Sequence, residues 1–169
     1  AVFRNEYSEI NQSRTDNLTA WSLTSQAEFG FHQSGMNDET GIAKARQAVE
    51  LDPKYAIAHA VLGRALSFYS LNYRDTAVAK EAEAEARLAL RLEPDDPKVN
   101  AFLAITLLLT GQPVAALPYA ERVTKISPSY AEGLSCYADI LVHNGRSREA
   151  LSYLDKAIRL TPNAPQLGN

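Results

Sequence analysis

The side chains that could carry chemistry are few and scattered. Cys136, Asp139 and His143 fall at i, i+3 and i+7 of one stretch, roughly one face of a helix, where a nucleophile or a metal site would place them. Seven helical steps span about 10 Å along the axis, so the three could not readily converge on one small ion. No glycine-rich or general-base context surrounds Cys136, and lining is its expected role. Asp139 and His143, one turn apart, read better as a polar contact for a partner. His32 follows Glu28 by one turn, as a solvated pair would, and Glu83 and Arg87 make an i to i+4 pair on the run KEAEAEAR. Three histidines and one cysteine do not form a metal-ligand motif, and a lone cysteine forbids an intrachain disulfide. There is no phosphate-cradling loop and no supported His/Asp/Ser arrangement. The expectation is a chain that is not an enzyme, with no catalytic residue, no metal ligand and no cofactor.

Prolines preceded by an apolar and then a small or acidic residue punctuate the chain. They occur in LDP (51–53), LEP (92–94), ISP (126–128) and LTP (160–162), at intervals of 41, 34 and 34 residues. Upstream of each, small residues recur at offsets of three and four: Ala45 and Ala48; Ala82, Ala86 and Ala89; Ala116, Ala120 and Val123; Ala150, Leu154 and Ala157. Such offsets put them on one helical face, and each proline ends one helix and opens the next antiparallel one. Downstream, YAIAHAVLGRAL, VNAFLAITLL and YAEGLSCYADIL repeat a second apolar pattern. No segment alternates with the period of a strand. The fold class is therefore all-α, eight helices in four hairpins at about 18–53, 56–94, 97–128 and 131–162. Residues 1–15 read as a tail or the end of an upstream helix. Asp16 or Asn17 is expected to cap the first helix, Asn37 or Asp38 the second. The excess of seven residues in the second unit is expected at Ser70–Thr76, between its helices, where it would lengthen only a loop or one helix end.

The chain's 169 residues are 46% apolar and 22% charged, enough for a core and against disorder. A net charge of -3 without a block of like charges argues against a nucleic-acid partner. The apolar stretch Ala101–Leu109 is about half of what crosses a bilayer, so no direct membrane insertion is expected. A cytoplasmic location is expected, a periplasmic domain of a membrane-linked regulator being the alternative.

The 34-residue period, with small residues at fixed places and a closing proline, resembles the tetratricopeptide repeat (TPR). In the last unit the family positions are filled by Leu134, Tyr137, Ala138, Leu141, Ala150, Leu154 and Ala157; in the unit before, by Asn100, Leu103, Ala104, Leu107, Ala116, Ala120 and Val123. Asn100 is the unusual one, as is His59, which stands where the family has a large apolar residue and so reads as packed and hydrogen-bonded. Gly111 and Gly145 fall where a left-handed turn ends a first helix. The phrase Asp16-Asn17-Leu18-Thr19-Ala20-Trp21, LRLEPDDP and SPSYA are similar to the C-terminal regions of bacterial class III adenylate or guanylate cyclases and related winged-helix regulators.

The TPR resemblance implies a right-handed superhelix that binds a peptide or protein segment in its concave face, with self-association through uncovered ends as a further reading. Pro162 is followed by NAPQLGN, too short for a capping helix, so the last hairpin's apolar face is expected to be partly bare. In the family's register the groove is lined by Ile57, Ala60, Arg64, Ser67 and Phe68; by Lys98, Ala101, Ile105, Leu108 and Leu109; and by Glu132, Ser135, Asp139, Val142 and His143. Ala60 and Ala101 stand where chaperone-binding relatives need a long basic side chain, which counts against a chaperone tail. Arg64, Lys98 and Asp139 are expected to orient an apolar segment of mixed charge, over contact area from Phe68 and Ile105.

Overall fold

The computed structural model describes residues 15–34 and 39–161, for 31–34 the backbone alone. Within these residues eight helices follow one another and no strand occurs: α1 (Leu18–Ser34), α2 (Glu39–Leu51), α3 (Ala56–Tyr73), α4 (Thr76–Leu92), α5 (Pro97–Leu109), α6 (Pro113–Ile126), α7 (Ala131–His143) and α8 (Ser147–Leu160). Successive pairs form four antiparallel hairpins. The first helices α1, α3, α5 and α7 also touch one another in order, and each second helix touches the first helix of the next hairpin. The result is a two-layer superhelix whose inner layer is made of first helices.

Local chemistry sets the starts and stops. Asn17 caps α1 by accepting from the Ala20 N–H at 3.0 Å. Asp75 caps α4, accepting from Ala77 and Val78, and Asp96 caps α5 at the Val99 N–H, 2.7 Å away, with Pro97 in the first turn where its missing donor costs nothing. Gly111 and Gly145, at φ of 86° and 76°, turn the chain between the helices of the last two hairpins. The proposed cap at Asn37 or Asp38, the tail up to 14 and the segment from Pro162 onward lie outside the described residues.

Small residues let the layers close. Ala45, Ala48, Ala82, Ala86, Ala89, Ala116, Ala120, Ala150 and Ala157 are all buried. At Gly63 a Cβ would sit 2.8 Å from the Ala82 carbonyl oxygen and 2.9 Å from the Ala86 nitrogen, so α3 and α4 meet backbone to backbone there. The apolar α5 is sandwiched between α3, α4, α6 and α7, which accounts for a helix with so little polar face.

The excess of the second unit lengthens the facing ends of both helices, where the sequence reading allowed for a loop or one helix end. Helix α3 has 18 residues and α4 has 17, against 13 in α5 and α7 and 14 in α6 and α8. Leu71, Asn72 and Tyr73 form the last turn of α3, and only Arg74 and Asp75 separate the two helices. The physical reason is that the added turn finds contacts of its own: Tyr69 and Tyr73 stack with centroids 4.4 Å apart, and Asp75 restarts the chain as a cap.

Candidate functional site

On the inner layer a groove of about 300 Å³ opens between α3, α5 and α7, lined by Arg64 and Phe68, by Ala101, Phe102 and Ile105, and by Glu132, Ser135, Cys136 and Asp139. Each comes from a first helix, and their spacing follows from it: Arg64 and Phe68, Ala101 and Ile105, and Glu132, Ser135 and Asp139 are three or four residues apart. The floor is apolar. Phe102 is almost wholly buried and offers a ring face, over which the Arg64 guanidinium lies at 4.6 Å from the centroid and the Lys98 ammonium at 5.6 Å.

The charges of this face are arranged across the groove. Arg64 Nη1 donates to Glu132 Oε1 at 3.3 Å, joining α3 to α7 past the intervening α5. Tyr130 gives its hydroxyl proton to the other oxygen of Glu132 at 2.9 Å. Lys98 Nζ reaches Glu28 Oε2 at 2.6 Å, joining α5 to α1 in the same way. Asp139 is exposed; among the described residues His143 Nδ1 stands 3.4 Å from its carboxylate, and that nitrogen donates to the Asp139 backbone carbonyl at 2.9 Å.

Of the residues expected from sequence, Arg64, Phe68, Ala101, Ile105, Glu132 and Asp139 come together in this groove. Ile57 does not: it is fully buried in the core. Lys98 sits beside the floor but is engaged by Glu28, and His143 stands exposed at the end of α7, outside the lining. Phe102 escapes the sequence reading because it follows a mapped position and reads as core; nothing in the sequence could have paired Glu28 with Lys98. The spacing pairs Glu28 with His32 instead, whose side chain is not among those described.

The chemistry first entertained for Cys136, Asp139 and His143 does not assemble. The Cys136 thiol is buried and donates to the Ala101 carbonyl at 3.5 Å. Burial, then the negative charges of Glu132 and Asp139, push its pKa far above the usual thiol range, away from a thiolate nucleophile. Among the described residues no cluster of His, Cys, Asp and Glu is placed to hold a metal ion.

Stacked hairpins with a lined inner face define an all-α helical-repeat superhelix. The model of the tetratricopeptide repeat family matches residues 103–165. A thermophilic TPR protein of Thermus thermophilus superposes with a TM-score of 0.72 at 18% identity, over 88% of this chain and 77% of that one. The first TPR of Spaghetti (RPAP3), bound to the HSP90 peptide SRMEEVD, gives 0.57 at 17% identity over 78% of this chain and 98% of that one. In sequence the chain is similar to ALBINO3-like protein 3, mitochondrial, of Arabidopsis thaliana, 24% identical over 152 residues, which are 79% of this chain and 26% of that protein. The chain thus spans about a quarter of the length of that curated relative. The structural likenesses establish the fold.

Proposed function

We propose that this chain is an interaction module that takes an extended segment of another protein against α3, α5 and α7. The observation that carries this reading is the groove itself, with a floor of Phe68, Ala101, Phe102 and Ile105 framed by Arg64 of α3 and by Glu132 and Asp139 of α7. A domain of the same fold bound to a peptide supports it by analogy. The test is a substitution on the floor. Ile105→Glu puts a charge where the segment would lie and is expected to weaken capture of the natural partner at least tenfold. Val114→Glu, on an exposed part of α6, is the control and should leave capture unchanged. Equal capture by wild type and Ile105→Glu, with matching melting curves, would remove the groove from consideration.

The parent we favour is a larger bacterial regulatory protein, with a nucleotide cyclase whose catalysis lies upstream as the alternative; that parentage is supported by the phrase at residues 16–21 together with LRLEPDDP and SPSYA. No helix among the described residues is long and apolar enough to cross a membrane, and the cytoplasm is the compartment we favour.

Self-association is a second reading, favoured by α8. Its Leu151, Leu154 and Ile158 are 62%, 37% and 65% exposed. One repeat earlier, Ala120 is buried and Leu117 packs on the core, under cover of the following helix. Sedimentation across a dilution series should show association that Leu151→Glu with Ile158→Glu abolishes. A monomer at all concentrations would discard this reading.

A further inference from the structure

Resting on the groove reading, the charge arrangement says which kind of segment the groove takes. Among the described residues, the charged side chains of the inner face are Glu28, Arg64, Lys98, Glu132 and Asp139, with His143 at the end of α7. Both cations are committed within the protein. Lys98 is held by Glu28 at 2.6 Å, and Arg64 by Glu132 at 3.3 Å while lying on the Phe102 ring. Glu132 is committed too, to Arg64 on one oxygen and to the Tyr130 hydroxyl on the other. Asp139 lines the same groove, is 52% exposed, and among the described residues its carboxylate has no Lys or Arg partner, only the His143 ring at 3.4 Å. An incoming carboxylate would have to displace an existing pair to find a cation. An incoming cation finds Asp139 open.

We infer that the groove selects a segment carrying a large apolar residue next to a Lys or Arg, with the apolar side chain on the Phe68, Phe102 and Ile105 floor and the cation on Asp139. The same arrangement disfavours an acidic segment. Charge complementarity acts here as a discriminator more than as a source of affinity, because the accepting carboxylate is open to water.

Two hexapeptides, acetylated and amidated at their ends, test this: Gly-Lys-Leu-Leu-Lys-Gly and Gly-Glu-Leu-Leu-Glu-Gly, titrated into the isotope-labelled chain and followed by backbone amide shifts. The lysine peptide is expected to move the amides of Arg64, Ile105, Ser135 and Asp139 and to bind about two- to fivefold more tightly than the glutamate peptide, the range of one exposed ion pair. Asp139→Asn should erase the preference and Asp139→Lys invert it; both change an exposed side chain, and unchanged amides elsewhere would show the fold intact. If the glutamate peptide binds as tightly at the same amides, or the lysine preference survives Asp139→Asn, the charge inference falls and the groove reading stands. If neither peptide moves these amides, the inference falls, and the groove reading is judged by partner capture with Ile105→Glu.

Discussion

At the scale of single residues, His59 is the side chain whose environment dictates its protonation. It is buried, with Nδ1 2.6 Å from Glu85 Oε2 and Nε2 3.0 Å from the Pro53 carbonyl oxygen. A carboxylate and a carbonyl accept, so both contacts are made at once when both ring nitrogens carry protons, and the arrangement favours the imidazolium. Burial opposes that charge, but the hydrogen bonds to Glu85 and Pro53, with the charges of Glu85 and Asp52, outweigh it and raise the pKa above 6.5. One repeat on, Asn100 makes the neutral version of this contact, donating to the Pro94 carbonyl at 2.8 Å, again six residues back. Because the folded pKa is the higher one, the pair's stabilisation is complete below pH 6.5 and is lost as pH rises through the raised value. Glu85→Gln is expected to cost about 1–3 kcal/mol at pH 6 and to flatten the decline of stability above pH 6.5. Denaturant melts of both proteins from pH 5.5 to 8.5 would check this; parallel profiles would show that the pair contributes no pH dependence. The sequence marks His59 as packed and hydrogen-bonded, but not its partner, since Glu85 lies on the facing helix.

At the scale of helices, the small residues were legible because close approach admits nothing larger, and that constraint repeats with the period of the hairpin. Gly63→Val would drive a branched side chain into the backbone of α4 and should cost about 1–3 kcal/mol. Where the hairpins turn, the constraint is conformational. Arg74 closes α3 at φ 53°, in the left-handed region that Gly111 and Gly145 occupy in the later hairpins. Arg74→Gly should therefore stabilise by about 1 kcal/mol, relieving the clash a Cβ suffers there. Thermal melts of the two variants should move in opposite directions. A shift of the same sign would contradict the assignment of one constraint to packing and the other to backbone strain. The place of the extra length was legible, as a loop or one helix end, but not its division over the ends of both α3 and α4: SLNYRDT contains the polar residues of a turn, and its helical part is held by the stacking of Tyr69 on Tyr73 and by the Asp75 cap. Where an insertion goes is decided by which residues find contacts, and the repeat spacing does not carry that.

Over the whole molecule, the register of the repeats points to Arg64, Phe68, Ala101, Ile105, Glu132 and Asp139, but it misses Phe102, misplaces Ile57 and carries nothing of the charge pairing. Arg64 and Glu132 are 68 residues apart and Glu28 and Lys98 are 70, and each pair skips a hairpin. Whether such side chains meet depends on how tightly the superhelix is wound, a property of all the interfaces summed and of no motif. The two pairs in turn brace that winding, since each ties first helices that only an intervening helix separates. Their contribution to stability should be small, about 0.2–1 kcal/mol each, because both remain partly open to water. Their contribution to shape should be larger. With spin labels on cysteines introduced at exposed Thr19 of α1 and Ser152 of α8, the separation is expected to lengthen and broaden in Glu132→Arg and in Glu28→Lys. The swap Arg64→Glu with Glu132→Arg should restore it, as attraction across the groove does not depend on which side carries the cation. Salt at about 1 M, where the screening length falls to about 3 Å, should lengthen the wild-type separation in the same direction. If the single reversals leave the distance distribution unchanged, the curvature is set by helix packing alone and the pairs merely occupy the space it leaves.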